Sequence, residues 1–345
     1  MRTGTGIRTG KGMHTGKGMH WIAALGVLGA ACTGGGGARA AAPAVAATMP
    51  KVTAIIAGTA HQALFAVAFA GERGIAVGAA GEILLSNDGG NTWRASQTSG
   101  STTLSLLGVD IRGDRAIAVG QGGLVLVSQG MDAWQKGASD TQERLFAVSM
   151  NGKGKAVAVG AFGTVILSAD SGHTWRAIAP ADVARYSDQG AEPHLYAVSV
   201  ADSGMVTVAG EFGLILRSAD DGAHWTVVHK GEASLFGLEL RADGVGFAVG
   251  QSGTILRTAD GGATWSVSPS GSEANLLGVS SAADGKAVVT AMNSVLVSDD
   301  HGTSWHPVTW GDFGSAWYAQ AQFVDSQPDA AILVGHAGRI LRMSP

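Results

Sequence analysis

The sequence predicts an all-β protein, a seven-bladed β-propeller whose blades are four-stranded antiparallel sheets. Short apolar runs separated by glycine-containing turns fill the chain after residue 50, without a helical period. One octapeptide recurs at intervals of 40 to 50 residues, a spacing typical of propellers and solenoids. Its copies are SNDGGNTW (86–93), SADSGHTW (168–175), SADDGAHW (218–225), TADGGATW (258–265) and SDDHGTSW (298–305), with a reduced copy, SQGMDAW, at 128–134.

One repeat shows how a blade is built. Residues 145–150 (LFAVSM) alternate large and small side chains as a buried strand does, and 155–160 and 163–168 are two further short apolar runs. The octapeptide turn follows, and Trp175 opens a fourth strand. Four short strands joined by tight turns form one antiparallel meander.

The two ends of the chain complement each other. The seventh copy of the repeat begins near Trp317, ends near Met343 and contains only three strands, with no octapeptide. Residues 51–58 (KVTAIIAG) have the character of the missing fourth strand, and pairing them with the last copy would cover an open sheet edge. This complementarity favours a closed ring of seven blades over the alternative, an open β-solenoid.

The octapeptide has the chemistry of a structural turn. The Asp carboxylate can accept backbone N–H groups, the Gly tolerates positive φ, and the Ser or Thr hydroxyl can close the turn from the other side. The Trp buries a large ring as the next strand begins. The residues assigned this structural role are Asp88, Trp93, Asp170, Trp175, Asp220, Trp225, Asp260, Trp265, Asp300 and Trp305.

Residues 1–42 are predicted to be an export signal with a Gly/Ala-rich tail, residues 43–50 a linker, and residues 51–345 the propeller. Basic residues precede a 12-residue apolar run, Trp21 to Cys32, which is too short to span a bilayer. The protein is therefore expected to be periplasmic or secreted. Cys32 has two interpretations: a lipid-bearing residue that anchors the mature chain, or a small apolar residue of the signal core.

Composition excludes several functions. Only 14% of residues are charged, against about 25% in ordinary domains. Without the five basic residues of positions 1–42, 18 Lys and Arg remain against 27 Asp and Glu, so nucleic acid is not an expected partner. Cys32 is the single cysteine, which precludes an intrachain disulfide. The histidines show no metal-binding spacing, and neither a metal nor a cofactor is expected.

The octapeptides match the Asp-box (BNR) repeat, and the longer unit VGQSGTILRTADGGATW (249–265) resembles the repeat of the photosystem II stability/assembly factor family. The resemblance extends over roughly residues 51–345. It implies an exported, non-catalytic propeller that binds newly made membrane-protein subunits during assembly. From it we expect a membrane or envelope protein as partner, and a monomeric protein.

The competing function is a sialidase-like glycoside hydrolase, because such enzymes also carry Asp boxes. Their chemistry needs a Tyr nucleophile or a carboxylate pair, and sialidases add arginines that hold the substrate carboxylate. Tyr196 and Tyr318 are predicted to occupy repeat-core positions equivalent to Phe65, and Tyr186 to be an exposed loop aromatic. Glu239 is the one acid assigned to a channel-lining strand, so no catalytic residue is expected.

Binding is expected on the face that carries the second-to-third-strand turns and the connections between blades. The short turns offer Phe162, Phe212, Gln251 and His336. The irregular connections offer Tyr186 in one, and Trp310, Phe313 and Trp317 in another, either as exposed anchors or as a cover over the closure seam. Arg217 and Arg257 recur at one repeat position and either bind a ligand or pack their stems between blades.

Overall fold

The computed structural model describes residues 50–181, 183–186 and 190–344, which form seven four-stranded antiparallel sheets. The predicted fold class, a seven-bladed β-propeller, is confirmed. The predicted export signal, residues 1–42, and nearly all of the linker lie outside the described residues. No helix in the described part of the chain is long and apolar enough to cross a membrane.

Six blades use four consecutive strands each. The opening strand, β1 (Lys51–Ile56), belongs to the last blade instead. Blade 1 contains β2 (Leu64–Ala70), β3 (Arg73–Gly78), β4 (Ile83–Ser86) and β5 (Arg94–Ala95), and blade 2 contains β6 (Leu106–Arg112), β7 (Arg115–Gly120), β8 (Val125–Gln129) and β9 (Trp134–Lys136). Blade 3 contains β10 (Leu145–Met150), β11 (Ala156–Gly160), β12 (Val165–Ser168) and β13 (Arg176–Ala177), and blade 4 contains β14 (Leu195–Val200), β15 (Val206–Gly210), β16 (Ile215–Ser218) and β17 (Thr226–His229).

The later blades continue the series. Blade 5 contains β18 (Leu235–Leu240), β19 (Gly246–Gly250), β20 (Ile255–Thr258) and β21 (Ser266–Val267), and blade 6 contains β22 (Leu276–Ser281), β23 (Ala287–Ala291), β24 (Val295–Ser298) and β25 (His306–Pro307). Blade 7 contains β26 (Tyr318–Val324), β27 (Gln327–Gly335), β28 (Ile340–Ser344) and β1. Short 3-10 helices span Ala79–Gly81, Gln121–Gly123, Val183–Tyr186 and Gln251–Gly253.

The ring closes through the two chain ends. Strand β1 pairs antiparallel with β28, with Lys51 opposite Ser344 and Ala54 opposite Leu341. Arg342 on β28 also donates from Nη1 to the carbonyl oxygen of Gly89 in blade 1, at 3.0 Å. The last blade therefore joins the first through both a completed sheet and a cross-blade hydrogen bond.

The first strand of each blade lines the central channel, and neighbouring first strands approach closely. The third residue of six of these strands is Ala or Gly, namely Ala66, Gly108, Ala147, Ala197, Gly237 and Gly278, while blade 7 has Gln320. A Cβ atom on Gly108 would lie 2.8 Å from the Cα of Ala147, and one on Gly278 would lie 2.7 Å from the carbonyl oxygen of Ala319. At Gly108 and Gly278 a larger residue would push adjacent strands apart.

The first residue of each first strand belongs to the core between blades. Leu64, Leu106, Leu145, Leu195, Leu235 and Leu276 are each 0% exposed. Tyr318 is also 0% exposed and pairs with Gly335 as Leu64 pairs with Gly78. The predicted equivalence of Tyr318 with Phe65 is therefore wrong by one residue, and Ala319 takes that position in blade 7.

Removing β1 tests its contribution to closure. A chain that begins at Gly58 loses the packing of the half-buried Val52, Ile55 and Ile56 against blade 7 and exposes the edge of β28. We expect the free energy of unfolding to fall by about 3 kcal/mol and the truncated protein to associate through the free edge. Urea unfolding and light scattering measure the two effects.

The exposed residue Lys51 provides the control, since Lys51→Ser keeps the strand and should leave stability unchanged. Equal stability of the truncated and intact chains would show that β1 does not close the ring.

Candidate functional site: the channel and its aromatic mouth

The propeller has two chemically different faces. Turns between second and third strands lie beside the connections between blades, as shown by backbone hydrogen bonds such as Gly163 N to Pro193 O at 2.8 Å and Gly253 N to Ala274 O at 2.8 Å. We call this the Gly-turn face. The octapeptide turns lie on the opposite side with the turns between first and second strands, and we call that side the Asp-box face.

An apolar ring surrounds the channel opening on the Gly-turn face. It consists of Phe65, Leu107, Phe146, Tyr196, Phe236, Leu277 and Ala319, one residue from each blade, and we call it the aromatic mouth. These side chains are half-buried and enclose a cavity of about 160 Å³. The mouth arises because the second residue of each first strand faces the axis while the residue before it enters the core.

Further rings extend the mouth outward. Trp317 stacks on Phe65 with 5.9 Å between ring centroids and an interplanar angle of 4°. On the other side, Phe162 contacts His194 edge-to-face at 5.0 Å. The Phe162 side chain remains 56% exposed on a residue with φ of 52°, the left-handed backbone conformation that bulky residues rarely adopt. An exposed Phe in that conformation is costly, which favours a role at the surface.

A tyrosine–glutamate pair lies at the mouth. The Tyr196 hydroxyl donates to Glu211 Oε1 at 3.2 Å, and Glu211 Oε2 accepts the backbone N–H of His194 at 2.8 Å. Burial, together with the charge of Glu211 and its hydrogen bond, raises the pKa of Tyr196 to about 12. The prediction that placed Tyr196 in the repeat core is corrected, because the ring is half-buried at the mouth. No arginine lines the mouth in the described ranges.

The other turn residues predicted to bind differ in their availability. Gln251 accepts the backbone N–H of Ser234 through Oε1 at 2.8 Å and so fixes the start of β18. Phe212 is half-buried at φ 59°. His336 is exposed, and its ring lies 6.1 Å from that of Trp317. Gln251 therefore has a structural role, while Phe212 and His336 remain accessible.

The irregular connections are packed more tightly than predicted. Phe313 is 2% exposed and contacts Tyr318, with 5.2 Å between ring centroids, so it cannot be an exposed anchor. The half-buried Trp310 packs on Phe313, which agrees with the interpretation that this segment covers the closure seam. Tyr186 is 6% exposed in the core between blades 3 and 4, which corrects its assignment as an exposed loop aromatic.

The recurrent arginines link neighbouring blades. Arg217 Nη2 donates to the carbonyl oxygen of Gly261 at 3.0 Å, and Arg257 Nε donates to that of His301 at 2.8 Å. Both acceptors are the fourth residue of the Asp box in the next blade, as Gly89 is for Arg342. This geometry supports the interpretation that the arginine stems pack between blades. The guanidinium groups also donate hydrogen bonds to the turn of the next blade.

The channel opening on the Asp-box face is polar. Asp110, Arg112, Glu239 and Arg241 line a cavity of about 320 Å³ there. Asp110 Oδ2 accepts Met150 N of the next blade at 2.7 Å, and Glu239 Oε1 accepts Ser281 N of the next blade at 3.0 Å. Ser149 and Ser280 make the same link, accepting Val200 N and Phe323 N at 3.1 Å each.

These carboxylates are cross-strand linkers. Burial raises the pKa of Asp110, against the charge of Arg112 and two backbone hydrogen bonds. Burial also raises the pKa of Glu239 to about 7, although hydrogen bonds from Ser281 and Ser280 and the charge of Arg241 oppose it. The sequence analysis did not identify Asp110 as a second acid in the channel. Asp110 could have been found by aligning the repeats, because it holds the same first-strand position in blade 2 that Glu239 holds in blade 5.

The Asp boxes share one hydrogen-bond network. In all five, the Ser or Thr hydroxyl donates to Asp Oδ1 at 2.7–2.9 Å and accepts the Gly N–H at 2.8–3.0 Å. Asp Oδ1 also accepts, at 2.9 Å, the N–H of the residue before the Trp. The reduced copy in blade 2 lacks this network, and the buried Trp134 Nε1 has no hydrogen-bond partner among the described residues.

The described residues contain no group of three or more His, Cys, Asp or Glu side chains able to hold a metal ion. The Asp-box carboxylates are occupied by the donors of their own turns. The chemistry that the channel offers is therefore apolar contact at the aromatic mouth and hydrogen bonding at the opposite opening.

Comparison with known proteins supports the fold. No protein-family model matches the sequence, and no curated protein matches it. The structure is similar to that of YCF48 bound to a D1 peptide, with a TM-score of 0.68 and 17% identity over 88% of this chain and 99% of that chain. YCF48 from Cyanidioschyzon merolae gives a TM-score of 0.67 and 18% identity over 85% of this chain and 99% of that one. A GH74 xyloglucanase from Xanthomonas campestris gives a TM-score of 0.63 and 14% identity, covering 84% of this chain and 53% of that chain.

The Asp boxes should make stability sensitive to acid. Burial acts to raise the pKa of Asp170, but hydrogen bonds from Thr174 and Ser168 outweigh it and lower the pKa to about 2. A hydrogen bond from His224 N is the main cause that lowers the pKa of Asp220 to about 2. Because the unfolded carboxyls titrate near pH 4, their stabilisation is complete above that pH and is lost as the pH falls to about 2.

We therefore expect D170N/D220N to have a lower melting temperature than the native chain at pH 6, and a smaller difference at pH 2.5. Thermal unfolding followed by circular dichroism between pH 6 and pH 2 measures this. Asp114→Asn, in an exposed turn on the same face, is the control. A difference that does not change with pH would contradict the assignment.

Glu239 should produce the opposite pH dependence. Its folded pKa of about 7 lies above the ordinary value of 4.5, so the folded state holds the proton more tightly and stability is lost as the pH rises through 7. Glu239→Gln keeps the shape of the protonated acid and removes this loss. We expect E239Q to gain about 2 kcal/mol relative to the native chain between pH 5 and pH 8, measured by urea unfolding. An equal stability difference at both pH values would show that Glu239 titrates normally.

Proposed function

We propose that this protein is a non-catalytic propeller that binds a membrane or envelope protein through its Gly-turn face. One observation carries the proposal: the aromatic mouth and its neighbour Phe162 leave aromatic rings accessible on a rigid scaffold, and Phe162 is 56% exposed. Accessible aromatic rings are frequent anchors of protein interfaces. The similarity of the fold to YCF48 bound to a D1 peptide adds support.

The remaining parts of the proposal come from the sequence. The basic and apolar start of the chain supports export to the periplasm or the exterior, with a lipid on Cys32 as the alternative to a free mature chain. Export would bring the propeller to the compartment where extramembrane segments of envelope proteins are exposed. We propose that the protein acts as a monomer, because all seven blades are completed by a single chain.

A glycoside hydrolase is the alternative, and two observations favour considering it. The fold is similar to that of a GH74 xyloglucanase, and Tyr196 is hydrogen-bonded to Glu211 as a tyrosine nucleophile and its base would be. A pKa of about 12 makes Tyr196 a weak nucleophile at neutral pH. Asp110 and Glu239 also hold the backbone of the next blade. These features support the non-catalytic function.

Affinity capture with matched variants tests the docking proposal. The tagged protein is used to capture partners from a detergent-solubilised envelope fraction, and each captured protein is then purified and tested for direct binding. We expect Phe162→Asp to weaken binding at least about tenfold, because it places a charge at an apolar contact. Val267→Asp is the control, since Val267 is 75% exposed on the outer strand of blade 5.

Equal binding by F162D and V267D, or capture of no membrane or envelope protein, would contradict the proposal. Hydrolysis of sialosides or xyloglucan by the native protein, lost in Tyr196→Phe, would favour the enzyme instead.

A further inference from the structure

We infer that the aromatic mouth receives one large apolar side chain from a partner segment in which that residue is flanked by lysine or arginine. The inference rests on the proposed docking function and identifies the chemistry of the docked segment. Three features of the Gly-turn face carry it: the size of the cavity, the charge of the surrounding loops and a gap in the ring.

The cavity has the size of one side chain. It measures about 160 Å³ and opens to the Gly-turn face, and the backbone of Gly108, Gly237 and Gly278 lines it beside the apolar side chains. Its volume is comparable to that of a cavity of about 150 Å³ that accommodates one benzene ring in another protein. Valines of the first strands, among them Val109, Val148 and Val198, line both this cavity and the lower one, so the two cavities adjoin. A cavity of this volume accommodates one Phe or Leu side chain among the aromatic rings, and it is too small for a longer stretch of chain.

Among the described residues, those that line the mouth carry no charged side chain. Burying an anionic group there would be costly, because no described residue of the lining carries a positive charge to offset its desolvation. A cation would gain attraction from the ring faces, but it would lose more of its hydration than an apolar side chain does. The inserted residue is therefore apolar. Leu107 and Leu277 occupy two positions of the mouth between the aromatic residues. The mouth can therefore contact an aliphatic or an aromatic side chain equally well.

Around the mouth, the connections between blades carry more acidic than basic side chains. The described parts of these connections carry five exposed carboxylates: Asp140, Glu143, Glu192, Glu232 and Glu273. Exposed cations in the same described segments number three: Arg144, Arg185 and Lys230. Glu211 adds a carboxylate directly behind the Tyr196 hydroxyl. Charge complementarity therefore selects a segment with basic residues on either side of the inserted side chain.

The ring has one gap. Six blades place Phe, Tyr or Leu at the mouth position, and blade 7 places Ala319, next to Phe65 and its stacked neighbour Trp317. A short side chain at one position widens the entrance on that side. Because the same position holds Phe in three other blades, Ala319→Phe should fold normally and fill the gap.

Isothermal titration calorimetry with the full-length protein tests the inference. The probe is a short peptide with one central Phe and lysines on both sides, and the matched peptides replace Phe by Ser or the lysines by Glu. We expect the first peptide to bind at least about tenfold more tightly than either control, and its binding to weaken at high salt. Ala319→Phe should reduce the affinity by a similar factor, and Ala319→Ser should not.

The variant Phe236→Asp distinguishes binding by insertion of an apolar side chain from binding by charge attraction alone. It adds an acid to an already acidic face, yet we expect it to weaken the Phe peptide, because a carboxylate would occupy the apolar mouth. Melting temperatures of all variants establish folding, and Phe236→Leu, which reproduces the residue of blades 2 and 6, should bind as the native chain does.

Equal binding of the Phe and Ser peptides, or unchanged binding by A319F and F236D, would overturn the inference. Preferential binding of phosphatidylcholine vesicles over the peptide would overturn it in favour of a lipid headgroup. Capture of an envelope protein by native and A319F chains alike would remove the mouth as the docking site and leave the proposed function intact. Peptide binding without capture of any envelope protein would contradict the proposed function and leave the mouth specificity in place.

Discussion

The close approach of the seven first strands is the constraint on which the rest of the structure depends. Gly237 and Gly278 show how little room there is, since a Cβ atom on Gly237 would lie 3.1 Å from the Cα of Gly278. Strands held this close can be linked by short side chains, and Asp110, Ser149, Glu239 and Ser280 each accept a backbone N–H from the following blade. Asp110 and Glu239 in the channel therefore have a structural role, because they link neighbouring first strands.

The two faces of the propeller are stabilised by different interactions. On the Asp-box face, arginines reach the octapeptide turn of the next blade and carboxylates are held within their own turns. On the Gly-turn face, glycines allow the connections between blades to cross very close to the turns; a Cβ atom on Gly253 would lie 1.7 Å from the carbonyl oxygen of Ser272. These closely packed turns surround the aromatic mouth and restrict the movement of its rings.

Much of the fold could be read from the sequence because the repeat is regular. The predicted strand at residues 145–150 matches β10, and the predicted pairing of the N-terminal segment with the last blade is present as β1 and β28. The hydrogen bonds of the Asp boxes follow from residue chemistry alone. Periodicity fixes which positions are equivalent, and equivalent positions share burial.

The site was harder to predict where that periodicity fails. Blade 7 begins with two adjacent aromatics, Trp317 and Tyr318, and only the observed pairing of Tyr318 with Gly335 shows which one enters the core. Phe313 and Tyr186 lie in irregular connections, where no repeat reports burial, and both fold inward. The mouth itself joins residues from all seven blades, and its depth and volume depend on the angle between blades, which no local pattern encodes.

The position of the chain ends has a practical consequence. Lys51 pairs with Ser344, and β28 runs from the Gly-turn face toward the Asp-box face, so both ends of the described propeller emerge on the Asp-box side. A surface or carrier coupled at Lys51 or Ser344 would therefore hold the propeller by its Asp-box side, with the aromatic mouth directed outward. Protein immobilised at either of these positions should consequently keep its Gly-turn face unobstructed.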